Sequence, residues 1–217
     1  MTIGKMFSKG EEIANSISHG VGWLFSLAAL TLLIVFSSLY GTVWHVVSFT
    51  LFGVTMVLLY TSSTLLHSLP NGRAKNVFEI LDHSSIYYFI AGSYTPFLFI
   101  AVKGTLGWTL FGVLWGIAIA GTVFKSFFVK RFKLLSTLGY ILMGWQIVFM
   151  WKPIFTYLPP AGTWLLILGG IAYTLGSVFY VWRGFKYHHM VWHIFVLIGT
   201  ILHFFTVFLY LLPWPTK

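Results

Sequence analysis

Eight histidines and four acidic residues hold most of the chemistry open to this chain, and their spacing is uneven. His189 and His193 stand four residues apart, the interval at which a helix presents two imidazoles from one face to one metal. His67 closes an earlier apolar run at a comparable depth, and Asp82 is expected to open the next helix after a short turn. Ser63, four residues before His67, shares its face. Three neutral imidazoles hold zinc as a tripod whose fourth position goes to water, and a nearby carboxylate can orient or deprotonate that water. A hydroxyl at position 63 can orient a ligand or steady an oxyanion. Cysteine is absent, which excludes disulfides, thiolate metal sites and cysteine nucleophiles. Any metal therefore rests on His, Asp or Glu.

The remaining polar residues admit plainer roles. Ser8-Lys9-Gly10-Glu11 fits a capping box, so Glu11 is expected to start a helix. Glu12, Asn15 and His19 follow at helical spacing; they either support the metal ligands from behind or form the polar start of the first helix. His203 lies ten residues beyond His193, about 15 Å deeper by helical rise, too far to share one ion. A buried hydrogen-bonding role is expected for it. His45, His83 and His188 read as polar groups at the level of lipid headgroups.

Positioning these residues falls to elements that the composition identifies. Of 217 residues, 58% are hydrophobic, 8% charged and 20% aromatic, against about 25% charged in soluble domains. The missing solvent is lipid, where backbone groups must pair within the element, leaving helices or closed barrels. Stretches such as 46–66 and 162–182 are apolar on all sides instead of alternating, which selects all-α. A bilayer core of about 30 Å asks for roughly 20 residues per span. Seven spans are expected near 18–39, 45–67, 82–102, 106–128, 134–152, 162–182 and 190–212, forming a single domain over 1–217. The breaks carry turn residues or charge, as in Leu69-Pro70-Asn71-Gly72 and Pro159-Pro160-Ala161-Gly162.

Orientation follows the basic residues. With the N-terminus inside, Lys5, Lys9, Arg73, Lys75, Lys125, Lys130, Arg131, Lys133, Arg183 and Lys186 face the cytoplasm, and Lys103, Lys152 and Lys217 face outward. This bias puts the C-terminus outside. The net charge of +9 is thus spread by topology and forms no stripe for nucleic acid. Trp44, Trp108, Trp151, Trp164 and Trp214 fall near span ends and suit an interfacial belt.

At these residues the sequence resembles the hemolysin III family, the bacterial branch of the progestin and adipoQ receptor membrane proteins. The likeness rests on four ordered motifs: Glu12 to Gly20, Ser63-Thr64-Leu65-Leu66-His67, Asp82-His83-Ser84 followed by Ala91 to Pro96, and His189-Met190-Val191-Trp192-His193 with His203 beyond. The resemblance implies a multi-pass protein of the bacterial plasma membrane, holding Zn²⁺ through His67, His189 and His193, with Asp82 reaching the metal through water. It also implies membrane lipids as partners. A further likeness to alkaline ceramidases implies hydrolysis of a lipid amide or ester, with Asp82 as general base and Ser63 beside it. The alternative is a receptor-like or membrane-lysing protein in which zinc is structural.

Two other classes fit less well. An ion pore needs polar residues along a continuous path, and the outer halves offer chiefly His203, Gln146 and hydroxyls. Haem needs two histidines on opposite faces of iron, whereas three histidines with Asp82 and Ser63 suit hydrated zinc.

Overall fold

The computed structural model describes residues 7–129 and 131–215, all-helical between their turns. Lys5, Lys130 and Lys217 of the basic-residue census lie outside the described residues. In chain order come α1 (Lys9–Tyr40), α2 (Val43–Ser68), α3 (Arg73–Phe97), α4 (Gly104–Phe128), α5 (Lys133–Gly144), α6 (Trp151–Tyr157), α7 (Pro160–Val181) and α8 (His188–Tyr210). A π-helical turn, Leu98–Val102, continues α3, and a 3-10 turn, Gln146–Phe149, joins α5 to α6. Among the described residues six helices are long and apolar enough to cross a membrane, and α5 with α6 makes a seventh crossing when the pair is counted as one. The chain is a multi-pass integral membrane protein.

Three boundaries depart from the expected spans, each for a local reason. α1 starts at Lys9 because the capping box forms: the Glu11 N–H donates to Ser8 Oγ (3.3 Å), and the Ser8 N–H donates to the Glu11 carboxylate (2.9 Å). α3 starts at Arg73, so Asp82 does not open a helix; it sits in the third turn. The residues from Arg73 to Leu81 include Arg, Ala, Lys, Glu and Leu, good helix formers that extend the helix past its apolar part. The fifth crossing is broken, with a bend of 67° between Leu134–Phe149 and Trp151–Tyr157. Pro153 explains where it breaks. It lacks an N–H and its ring would clash with the carbonyl four residues back, yet it is tolerated in the first turn of a new helix.

The helices close into a ring. α1 packs on α2 and α8, α2 on α3, α7 on α8 and α5, and α3 touches α5 and α8, while α4 lies against the outer side of α3. Small residues set the closest approaches, as expected where lipid gives helices no hydrophobic drive to associate. A Cβ at Gly92 of α3 would sit 2.0 Å from Thr55 Oγ1 of α2, and one at Gly22 of α1 would meet the Tyr60 ring at 2.3 Å. The outer faces are apolar and uncovered, with Phe127 77% and Leu142 72% exposed. Trp44, Trp108, Trp151 and Trp164 are likewise exposed, while Trp214 packs on Phe36, Tyr40 and Phe208.

Candidate metal centre

α2 ends one residue after His67, and α8 begins one residue before His189, so a histidine from the last turn of one helix meets two from the first turns of the other. The chain turns into α8 at Tyr187, whose φ of 65° reverses the backbone and whose N–H donates to Glu11 Oε1 (3.1 Å). That bond holds the start of α8 against α1. The result is that His67, His189 and His193 each offer one nitrogen, all within 4.8 Å of one another. The ring centroids lie 5.2 Å (67 to 189), 5.2 Å (67 to 193) and 4.5 Å (189 to 193) apart.

Two of the three rings are already oriented. The Glu12 carboxylate accepts from His67 Nδ1 at 2.6 Å, which puts the proton on Nδ1 and leaves the lone pair on Nε2. That Nε2 is buried without a hydrogen-bond partner among the described residues. The second Glu12 oxygen accepts from Lys75 Nζ (2.8 Å), which also reaches Leu69 O (3.3 Å). His193 Nδ1 lies 3.2 Å from Asn15 O and 3.0 Å from Ser18 Oγ. A carbonyl can only accept, so this ring too carries its proton on Nδ1 and frees Nε2. Carboxylate and carbonyl partners of this kind fix the tautomer of metal-binding histidines and raise their basicity. Three imidazoles, an orphaned ligand nitrogen and preset tautomers fit a metal ion.

Around the triad the first two helices add further unsatisfied groups. His19 stacks on His193, with centroids 3.4 Å apart and planes at 15°, and both its nitrogens are buried without partners among the described residues. The Asn15 amide and Ser63 Oγ share that condition. Unpaired buried polar groups are rare in native proteins and mark functional chambers or bound water.

A cavity of about 170 Å³ runs inward from this cluster. His19, Ser63, Asp82, His83, His189 and His193 line one end. Phe97, Ile154, Phe155 and Leu166 line deeper parts, and His203 stands among them. Asp82 and Ser63 thus face the same space as two of the three histidines. His67 does not line the cavity and approaches the triad from the side of Glu12.

The histidines expected at headgroup level tie parts of the chain together, with His45 and His188 buried and His83 half-buried. His45 completes the α2 cap, accepting at Nδ1 from the Thr42 N–H (3.0 Å) and donating from Nε2 to Leu211 O (3.1 Å). His188 Nδ1 donates to Phe179 O (3.0 Å). His83 Nδ1 donates to Glu79 O (2.7 Å), so Nε2 accepts from the Tyr180 hydroxyl (3.2 Å), while Asp82 Oδ2 lies 3.7 Å from Nδ1. Sequence reasoning missed Lys75, which counted there only as a topological charge. It also missed Phe7, whose ring lies 5.0 Å from His189 and 6.0 Å from His67. An isolated aromatic before a capping box gives no signal of that.

The chain is similar to known proteins over most of its length. Residues 7–204 match the family model described as Haemolysin-III related. The chain is 53% identical to the Hemolysin-3 homolog of Bacillus subtilis (strain 168) over 210 residues, 97% of this chain and 99% of that protein. It is 50% identical to Hemolysin-3 of Bacillus cereus, covering 94% and 93%. A more distant match, 26% identical over 179 residues, is the Monocyte to macrophage differentiation factor of Homo sapiens, covering 80% and 74%.

Proposed function

The chain belongs to the haemolysin-III-related family, and from that premise we propose that it binds zinc through His67, His189 and His193 and hydrolyses an amide or ester bond of a membrane lipid. The observation that carries the proposal is the shared cavity: Asp82 and Ser63 face the same largely apolar space as His189 and His193. A carboxylate in such a place, beside metal ligands, is poised for proton transfer. An apolar cavity continuing from it suits an acyl chain.

Held by His67, His189 and His193, zinc would supply Lewis acidity and would lower the pKa of water to near 7. Asp82 takes a proton from water as the oxygen adds to the lipid carbonyl. It then returns that proton to the leaving nitrogen or oxygen as the bond to carbon breaks, releasing a fatty acid and an amine or alcohol. Ser63 donates a hydrogen bond to the carbonyl oxygen as charge develops there. His83, fixed at both nitrogens, holds the neighbouring backbone of α3 and Tyr180 of α7 in place around Asp82.

The test is Asp82→Asn in purified, reconstituted protein offered ceramides, phospholipids and acyl amides, with released fatty acid measured. Zinc content should stay near one per chain while turnover falls by about 10²–10⁴-fold. A second reading, a structural zinc in a receptor-like or lytic protein, is favoured by the Glu12 network, which already ties α1, α2 and α3 beside the histidines of α8. Zinc-replete protein that releases no fatty acid above a His193→Ala control supports that reading and rejects the hydrolase.

A further inference from the structure

His203 is a polar group where the cavity has least use for one. It lies on α8 ten residues past His193, about 15 Å deeper along the helix. Its ring lines the cavity beside Leu166, with Tyr173 edge-on at 5.2 Å. Gly169 makes room for it: a Cβ there would sit 2.3 Å from Cδ2 of the imidazole. His203 Nε2 lies 3.2 Å from Leu166 O. A carbonyl only accepts, so Nε2 carries the proton and Nδ1 is left as an acceptor. That Nδ1 is buried and has no hydrogen-bond partner among the described residues.

The hydroxyls along the cavity do not serve it. Ser93 donates to Ile90 O, Tyr94 to Gly144 O, Thr174 to Gly170 O, Ser177 to Thr174 O and Tyr173 to Thr200 Oγ1. An acceptor buried in an apolar space without a donor is costly, and what relieves it must enter through the cavity. We propose that His203 selects a lipid whose acyl chain carries a hydroxyl well away from its carbonyl, the hydroxyl donating to Nδ1 while the carbonyl end lies at the histidine triad. The inference rests on the cavity taking an acyl chain, as in the preceding section, and adds which chain it prefers.

Equilibrium binding to purified protein is measured for stearic acid, 2-hydroxystearic acid and 12-hydroxystearic acid, in wild type and His203→Phe, which keeps an aromatic ring against Tyr173. Wild type should bind the 12-hydroxy acid roughly 2- to 10-fold tighter than stearic acid, the worth of one neutral hydrogen bond. The 2-hydroxy acid should gain no such preference. His203→Phe should lose the discrimination, binding the 12-hydroxy acid no tighter than stearic acid. Equal binding of all three acids by wild type, as expected if Nδ1 holds only water, overturns the inference and leaves the lipid cavity standing. Preference that persists in His203→Phe also overturns it. Binding of none of the three overturns the acyl-chain cavity itself. Should His203→Phe fail to fold, the comparison of the two hydroxy isomers in wild type still decides.

Discussion

Replacing Glu12 probes how far zinc binding at the proposed site depends on a residue outside the proposed ligand set. In the structure the Glu12 carboxylate accepts from His67 Nδ1 at 2.6 Å and from Lys75 Nζ at 2.8 Å. Loss of such a support typically lowers metal affinity by about 10–100-fold, or roughly 1.4–2.8 kcal/mol. Glu12→Ala leaves the Nδ1–H without an acceptor and frees the ring to turn, so it belongs at the upper end. Glu12→Gln keeps an oxygen in place but removes its charge, and belongs near 10-fold. Lys75→Met breaks only a partly buried ion pair, with side-chain exposures of 18% and 22%, worth about 0–1 kcal/mol, and leaves Glu12 on His67. Zinc affinity is read by competition with a fluorescent chelator in detergent, with folding checked separately. Glu12→Ala binding zinc as tightly as wild type would refute the reasoning, as would Lys75→Met weakening it equally.

Two further expectations concern the ligand set and the topology. If the triad holds zinc as proposed, purified wild type and His45→Ala should carry about one zinc per chain and His189→Ala should lose it, because His45 already uses its nitrogens in the cap of α2 and on Leu211 O; equal zinc in both variants by elemental analysis would show the ligands to be misassigned. With no native cysteine, Arg131→Cys should react with an impermeant maleimide only in inverted vesicles, and labelling from outside intact cells would reverse the orientation.

The sequence made the centre legible where chemistry and helical spacing coincide. His189 and His193 needed only a helix to share a face, and His67 only a common depth. The contacts between helices were less legible: Glu12 had two readings, a support for the ligands or the polar start of α1, because Glu12 and His67 are 55 residues apart and nothing local says that they meet, while Lys75 and Phe7 gave no signal of their part. Asp82 was recognised as a candidate but placed at a helix start, since hydropathy marks where a helix is apolar and α3 runs on through Arg73 to Leu81 in helix-forming polar residues. The broken fifth crossing went unread for a related reason. Pro153 stands near the end of an apolar run, and composition alone does not tell an end from a bend. His45, His83 and His188 read as headgroup-level groups because their partners, Leu211, Tyr180 and Phe179, come from other parts of the chain.

The closure of the ring between α1 and α8 bears on how the protein is made. α1 and α8 meet at the triad: Glu12 and Asn15 of α1 hold His67 and His193, and Glu11 holds the backbone at Tyr187. A chain emerging from the ribosome can set Glu12 on His67 once α2 is inserted, but it presents one imidazole of the triad and no tripod until α8 arrives. Assembly of the tripod is thereby deferred until α8 is inserted, and a chain truncated before His188 should reach the membrane with Glu12 set on His67 and without the other two histidines of the triad.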